Sequence, residues 1–118
     1  MKIFKENKVS DVQNQFAQQF PELKLKFYKV AHHDHEGNPK KDEVADTTLL
    51  VDLNSNLQND EVVLNAEMTV SELESMFEDK FGLHVQVFRH SGSTWLQTST
   101  TDHWTLAKQI EKAKESIH

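Results

Sequence analysis

The chain has 118 residues, of which 36% are hydrophobic and 27% are charged, and its formal net charge is -6. This length suits a single domain with one core, and the composition is that of a globular protein rather than a fibrous or disordered one. The absence of cysteine excludes disulfides, thiol nucleophiles and cysteine-ligated zinc. No apolar run approaches the roughly 20 residues of a membrane span, so we expect a soluble, cytoplasmic protein that binds no membrane. Nucleic acid is not an expected partner, because an acidic protein repels a phosphate backbone.

The first thirty residues predict a strand, a helix and a second strand. Apolar residues and lysines alternate from Met1 to Lys5, which is typical of a short strand. A helical stripe with spacings of three and four follows; it consists of Val9, Val12, Phe16 and Phe20. Ser10 and Gln13 are expected to cap this helix, and Pro21 ends it. The next strand alternates Leu23, Leu25 and Phe27 with lysines and Tyr28.

The middle of the chain is polar and less regular. Residues 31–43 are rich in charge and in the turn-forming residues Gly37, Asn38 and Pro39. Residues 46–53 fit either a strand or a helical turn. Residues 61–67 alternate Val62, Leu64 and Ala66 with polar residues, which predicts a strand.

The second half repeats the pattern with clearer signals. A helix over 70–81 is expected to begin with a capping box of Thr69 with Glu72, or of Ser71 with Glu74, and to stop at Gly82. Residues 83–89 alternate as a strand, and a turn leads to a partner strand around Trp95. A C-terminal helix carries Leu106, Ile110, Ala113 and Ile117 on one face.

The repeated pattern predicts one domain, residues 1–118, that is internally duplicated over about 3–53 and 62–117. Phe16 and Phe20 correspond to Phe77 and Phe81 in this alignment. Two strand-helix-strand units most simply give an α+β protein with a ferredoxin-like open-faced sandwich and an added C-terminal helix. The alternative is a ubiquitin-like β-grasp, which needs a hairpin before the helix.

Two short motifs carry a resemblance to a known family. They are F-G-L-x-V-x-V-x-R at Phe81 to Arg89 and W-T-L-A at Trp104 to Ala107. Together they resemble an uncharacterised family of small bacterial proteins. The resemblance implies a bacterial origin and carries no activity or catalytic residue to this chain.

One histidine cluster has the residue types of a metal site. Imidazoles and carboxylates occur together in the loop, and the candidate ligands are His32, His33 and His35. A closed zinc site requires four ligands and a rigid surrounding shell, and a polar loop supplies neither. We therefore expect no cofactor, and divalent-metal or small-ligand binding through this loop is the alternative.

A second candidate site consists of aromatic residues on the second hairpin and the segment after it. If Val85 and Val87 face the core, the next residue, Phe88, lies on the opposite face of the strand. Exposed rings beside an arginine suit a protein interface or a homodimer contact. The predicted protein-binding residues are Phe88, Arg89, Trp95 and Trp104.

The sequence carries no motif of a catalytic site. No serine lies in a nucleophile-elbow motif, and no phosphate-binding loop is present. His84, His90 and His103 flank the second hairpin and could form an acid-base pair with Asp102, but a strand histidine and a helix-capping aspartate explain them without catalysis. One face of the second strand carries a basic and aromatic set that is more typical of a solvated strand face than of a nucleic-acid platform. This set consists of Lys24, Lys26, Tyr28 and Lys29. The expectation is a non-enzymatic protein that binds another protein or a second copy of itself.

Overall fold

A computed structural model describes residues 1–29 and 37–116 of the chain. Within these ranges the strands are β1 (Lys2–Ile3), β2 (Leu23–Tyr28), β3 (Asp60–Glu61), β4 (His84–Ser91) and β5 (Thr94–Gln97). The helices are α1 (Val9–Gln19), the single turn α2 (Leu50–Leu53), α3 (Val70–Phe81) and α4 (Leu106–Ser116). The helical alternative for residues 46–53 is therefore the one adopted. None of the helices in the described ranges is long and apolar enough to cross a bilayer.

Helix α3 begins and ends as its sequence predicts. The Thr69 hydroxyl accepts a hydrogen bond from the Glu72 amide, and the Glu72 carboxylate accepts one from the Thr69 amide, both at 3.0 Å. These bonds satisfy two amides that the first turn leaves without intrahelical partners. At the other end Gly82 adopts φ 63°, a left-handed conformation that a residue without Cβ accepts at little cost.

The start of α1 differs from the prediction. The Lys8 amide, rather than that of Ser10, is capped, and it donates to the Asp11 carboxylate at 2.8 Å. The predicted pair of Ser10 and Gln13 was wrong because the helix begins at Val9, which places Ser10 inside the first turn. Asp11 therefore stands where its charge also favours the helix N-terminus.

The strands form two antiparallel sheets, and this confirms the α+β class. One sheet has the order β2-β4-β5, and the other is the pair β1-β3. The ferredoxin-like arrangement is not confirmed, because β1 and β3 pair with each other instead of joining the sheet of β2 and β4. The β-grasp alternative is not supported either, since β1 forms no hairpin before α1.

The predicted strand over 61–67 was too long: Val62 and Leu64 are buried, but the strand ends at Glu61.

The main core lies between the helices and one face of β2 and β4. Leu23, Leu25, Phe27, Val85 and Val87 supply the sheet side, and all are at most 2% exposed. The helix side contains two ring pairs with similar geometry. The centroids of Phe16 and Phe20 are 5.3 Å apart, and those of Phe77 and Phe81 are 5.9 Å apart.

Four backbone hydrogen bonds at the start of the helices in one half correspond one to one with four in the other half. In the first half the bonds run from a backbone amide to a backbone carbonyl in four pairs: Val9 to Thr48 (2.8 Å), Ser10 to Asp46 (2.9 Å), Leu50 to Asn7 (2.9 Å) and Val51 to Lys5 (3.2 Å). In the second half they are Val70 to Trp104 (3.0 Å), Ser71 to Asp102 (2.8 Å), Leu106 to Met68 (2.8 Å) and Ala107 to Ala66 (2.9 Å). Each residue of the first set therefore has a corresponding residue in the second. Duplication of the chain stays a prediction, and these matched bonds are the observation that supports it.

The halves meet at β2 and β4, where corresponding residues face each other. Lys26 lies opposite Gln86 in the antiparallel ladder, and these two residues hold the same place in the repeat. A local twofold axis between the halves therefore passes close to this pair. The residues beyond it, such as Leu25 opposite Val87 and Phe27 opposite Val85, exchange positions under the same rotation.

The glycine that ends α3 provides a test of this packing. A Cβ at Gly82 would lie 2.5 Å from the side-chain nitrogen of Asn54, which donates to the Phe81 carbonyl at 2.7 Å. Gly92 also has positive φ, but a Cβ there meets nothing within 4 Å. We expect Gly82→Ala to lower the free energy of unfolding by about 2 kcal/mol and Gly92→Ala by about 1 kcal/mol, since only the first also breaks a hydrogen bond. Chemical denaturation measures both, and equal costs would contradict this packing.

Candidate functional site

One edge of β2 is largely open. Its other edge pairs with β4 along all six residues from Leu23 to Tyr28. On the open side the Val44 amide donates to the Phe27 carbonyl at 2.8 Å, and the side-chain amide of Gln13 donates to the Leu25 carbonyl at 2.9 Å. In residues 1–29 and 37–116, no strand pairs with the Leu23–Leu25 stretch of this edge. An open edge of this kind can accept another extended chain.

A groove of about 570 Å³ runs along this open edge. Helix α1 forms one wall, β2 and the preceding proline form the floor, and the segment 43–46 and one tryptophan close the remaining sides. The lining residues are Gln13, Asn14, Ala17, Pro21, Leu23, Lys24, Lys26, Glu43, Val44, Ala45, Asp46 and Trp95. The groove therefore offers apolar side chains, side-chain amides and charges of both signs.

The two lysines of the groove have different environments. Lys26 lies 3.4 Å from the Glu43 carboxylate, and its ammonium is 4.8 Å from the centroid of the Phe88 ring. Lys24 lies 4.8 Å from the centroid of the Trp95 ring and has no carboxylate partner among the described residues. A cation over an aromatic face is favourable by about 1 kcal/mol, and the ring leaves the positive charge of the lysine unneutralised. Lys24 is therefore the positive charge available to an acidic ligand.

The second half fills the place that the first half leaves open. Gln86 and Gln97 correspond to Lys26 and Glu43, because Phe88 pairs with Gln97 as Tyr28 pairs with Glu43. Asn38 lies between the two glutamines: its side chain donates to Gln86 at 3.0 Å and its amide donates to Gln97 at 2.8 Å. The side chain of Gln97 returns a bond to the Asn38 carbonyl at 2.9 Å. One of two corresponding sites is thus closed by the chain itself, whereas no residue in 1–29 or 37–116 closes the other in this way.

The structure does not bring the four predicted protein-binding residues into one surface. Phe88 is 6% exposed and lies under Lys26, on the same sheet face as Trp95. Arg89 lies on the opposite face, where it donates to Gln109 of α4 at 2.8 Å and its guanidinium carbon is 5.8 Å from the Trp104 ring. Successive residues of a strand point to opposite faces, so Phe88 and Arg89 cannot share one. Trp95 is the member of the set that lines the groove.

The predicted metal ligands His32, His33 and His35 lie outside the described residues, so this site stays a prediction. Across residues 1–29 and 37–116, no group of three or more histidine, aspartate or glutamate side chains is placed to hold a metal ion. The three histidines within the described ranges are dispersed. His84 lies 3.8 Å from Glu78, and the rings of His90 and His103 pack against Trp95 and Trp104 respectively.

Sequence reasoning missed most of the groove, because three segments far apart in the chain form it. Ala17, Pro21 and residues 43–46 carry no motif that marks them as neighbours. The available signal was the row of lysines on β2, whose alternation is also typical of a solvated face.

Comparison with protein-family models, with curated proteins and with solved structures found no match to this chain. The resemblance to small bacterial proteins therefore stays a prediction.

Tyr28, next to the groove segment, gives a pH-dependent test of this geometry. Burial, and then the negative charge of Glu43, raise the pKa of Tyr28 from 10.0 to about 12. Between pH 10.0 and about 12 the folded chain keeps the Tyr28 proton while the unfolded chain loses it. The contribution of Tyr28 to the free energy of unfolding is therefore complete below pH 10.0 and is lost as the pH rises towards about 12. Tyr28 is the one tyrosine of the sequence, so tyrosinate absorbance after a pH jump reports it alone. We expect Glu43→Gln to lower the folded-state midpoint, and a wild-type midpoint at the ordinary value would contradict this environment.

Proposed function

We propose that the protein is a non-enzymatic binding domain that takes an extended segment of another protein into the groove beside β2. The observation that carries this proposal is the open β2 edge, flanked by a groove of about 570 Å³. A peptide that adds to a sheet edge gains affinity from main-chain hydrogen bonds, and it gains specificity from the pockets that receive its side chains.

The dimensions of the groove favour a short contact. Pro21 marks one end, and the bond from Val44 to Phe27 marks the other. Between them the Leu23 amide already donates to the Phe20 carbonyl at 3.0 Å, which leaves the Leu23 carbonyl and the backbone of Leu25 for pairing. Three residues of a strand span roughly 10 Å. The Gln13 side chain now satisfies the Leu25 carbonyl, and an amide of the incoming peptide would replace it.

Side-chain chemistry indicates which peptides fit. Lys24 lacks an ion-pair partner among the described residues, so an acidic side chain is expected beside it. The ring of Trp95 and the small side chain of Ala17 leave room for an apolar side chain at a neighbouring position. The partner segment is therefore extended and combines one acidic with one apolar residue.

Peptide display tests this proposal directly. Peptides selected on the wild-type protein from a random library should share an acidic and an apolar position. Ala17→Trp places a large ring in the groove from an exposed helical position, so it should weaken their binding at least roughly tenfold, or about 1.4 kcal/mol. The matched control is Glu78→Trp, since Glu78 is exposed and holds the corresponding position in α3.

The controls separate groove binding from general adhesion. Trp95→Ala should weaken binding, because it removes an aromatic wall of the groove. Amide signals of Lys24 and Leu25 should shift when the peptide is added. If selection gives no shared sequence, or if Ala17→Trp and Glu78→Trp behave alike, the groove is not the binding site.

A further inference from the structure

The first half of the chain carries an apolar patch on the side where α2 meets the chain after β1. A hollow of about 300 Å³ is lined by Lys5, Glu6, Leu49, Val51 and Ser55. Leu49 is 37% exposed, and Phe4, which precedes Lys5 in the chain, is also 37% exposed. We call the three apolar residues Phe4, Leu49 and Val51, with their charged neighbours Lys5 and Glu6, the Phe4 patch.

The fold does not require these apolar side chains. The matched hydrogen bonds pair Val51 with Ala107 and Lys5 with Ala66 in the repeat, and the bridge of Lys8 with Leu49 corresponds to that of Thr69 with Thr105. Phe4 thus corresponds to Asn65, and Leu49 to Thr105. The second half makes the same backbone bonds with asparagine, threonine and alanine at the three positions. Apolar residues that the backbone does not need, and that solvent disfavours, indicate a contact outside the chain.

The charges around the patch indicate what that contact is. The protein as a whole is acidic, with a formal charge of -6. Lys5 and Glu6, however, both line the hollow, so their charges balance. In a contact with twofold symmetry the same surface appears twice, so Lys5 of each copy can face Glu6 of the other. We propose that the Phe4 patch is the contact through which two copies of this chain associate as a weak symmetric dimer.

The small size of the patch determines the strength of this dimer. Stable interfaces bury about 1,200–2,000 Å² in total, and a contact centred on three apolar side chains falls below that range. Association is therefore expected to be fast and reversible, with a dissociation constant in roughly the micromolar to millimolar range. This proposal does not depend on the groove beside β2, which involves different residues.

Sedimentation velocity over a range from about 10 µM to about 1 mM tests the proposal. Wild-type protein should shift towards the mass of a dimer as its concentration rises. The variant Phe4→Asn, Leu49→Thr, Val51→Ala gives the first half the residues of the second, so it should stay folded by circular dichroism and remain monomeric throughout. The reverse variant, Asn65→Phe, Ala66→Lys, Thr105→Leu, Ala107→Val, completes a second patch with Glu67, which holds the position of Glu6, and should form assemblies larger than dimers.

Charge exchange provides a test that does not depend on the apolar residues. Lys5→Glu alone and Glu6→Lys alone should each weaken dimerisation by roughly tenfold, because like charges then face each other. The double variant Lys5→Glu, Glu6→Lys should restore the wild-type dissociation constant. Wild-type protein that stays monomeric, a dimer that survives the triple replacement, or a double variant that fails to recover would each overturn the proposal.

Discussion

The pairing of β2 with β4 is the interaction on which the rest of the structure depends. It joins the two halves of the chain along all six residues of β2, with Lys26 opposite Gln86 at the local twofold axis. One face of this pair carries the apolar residues on which α1 and α3 pack. Each large side chain buried there contributes about 1.5–3 kcal/mol, so neither half keeps its core if the ladder opens.

The two halves have matching backbone arrangements, so positions where their side chains differ indicate which residues the fold does not determine. The two halves satisfy matching backbone bonds with different side chains, so the backbone does not dictate the choice at those positions. Where Gln86 and Gln97 bind Asn38, the corresponding Lys26 and Glu43 bind each other and leave a groove beside them. Where the second half has Thr105, the first half exposes Leu49. Both proposed contacts of this protein lie at such differences.

The helix and strand of the second half could be predicted because local chemistry determines them. A capping pair at Thr69 and Glu72, a stripe ending at Phe81 and a left-handed Gly82 each act within a few residues. The buried rings of both helices were predicted for the same reason. These features need no knowledge of distant parts of the chain.

The sheet arrangement and the candidate site could not be predicted, because both depend on contacts between distant residues. The pairing of β1 with β3 brings Lys2 next to Glu61, and nothing near either residue signals it. The strand expected to reach Glu67 has the right alternation, but β3 ends at Glu61 and the pairing with the start of the chain stops at Val62, which exchanges hydrogen bonds with Met1. The groove combines residues of α1, β2, the segment 43–46 and β5. Alternation alone was enough to separate Phe88 from Arg89, but the predicted binding surface combined them, and the structure places them on opposite faces of β4.

Native-state hydrogen exchange of the Lys26 and Gln86 amides tests the central claim, that one shared ladder makes the two halves a single cooperative unit. The account predicts that the amides on both sides of the axis exchange with the same free energy, equal to that of global unfolding, and with the same dependence on denaturant. If the amides of α3 and β4 stayed protected after those of α1 and β2 had opened, the halves would be independent and the account would be contradicted.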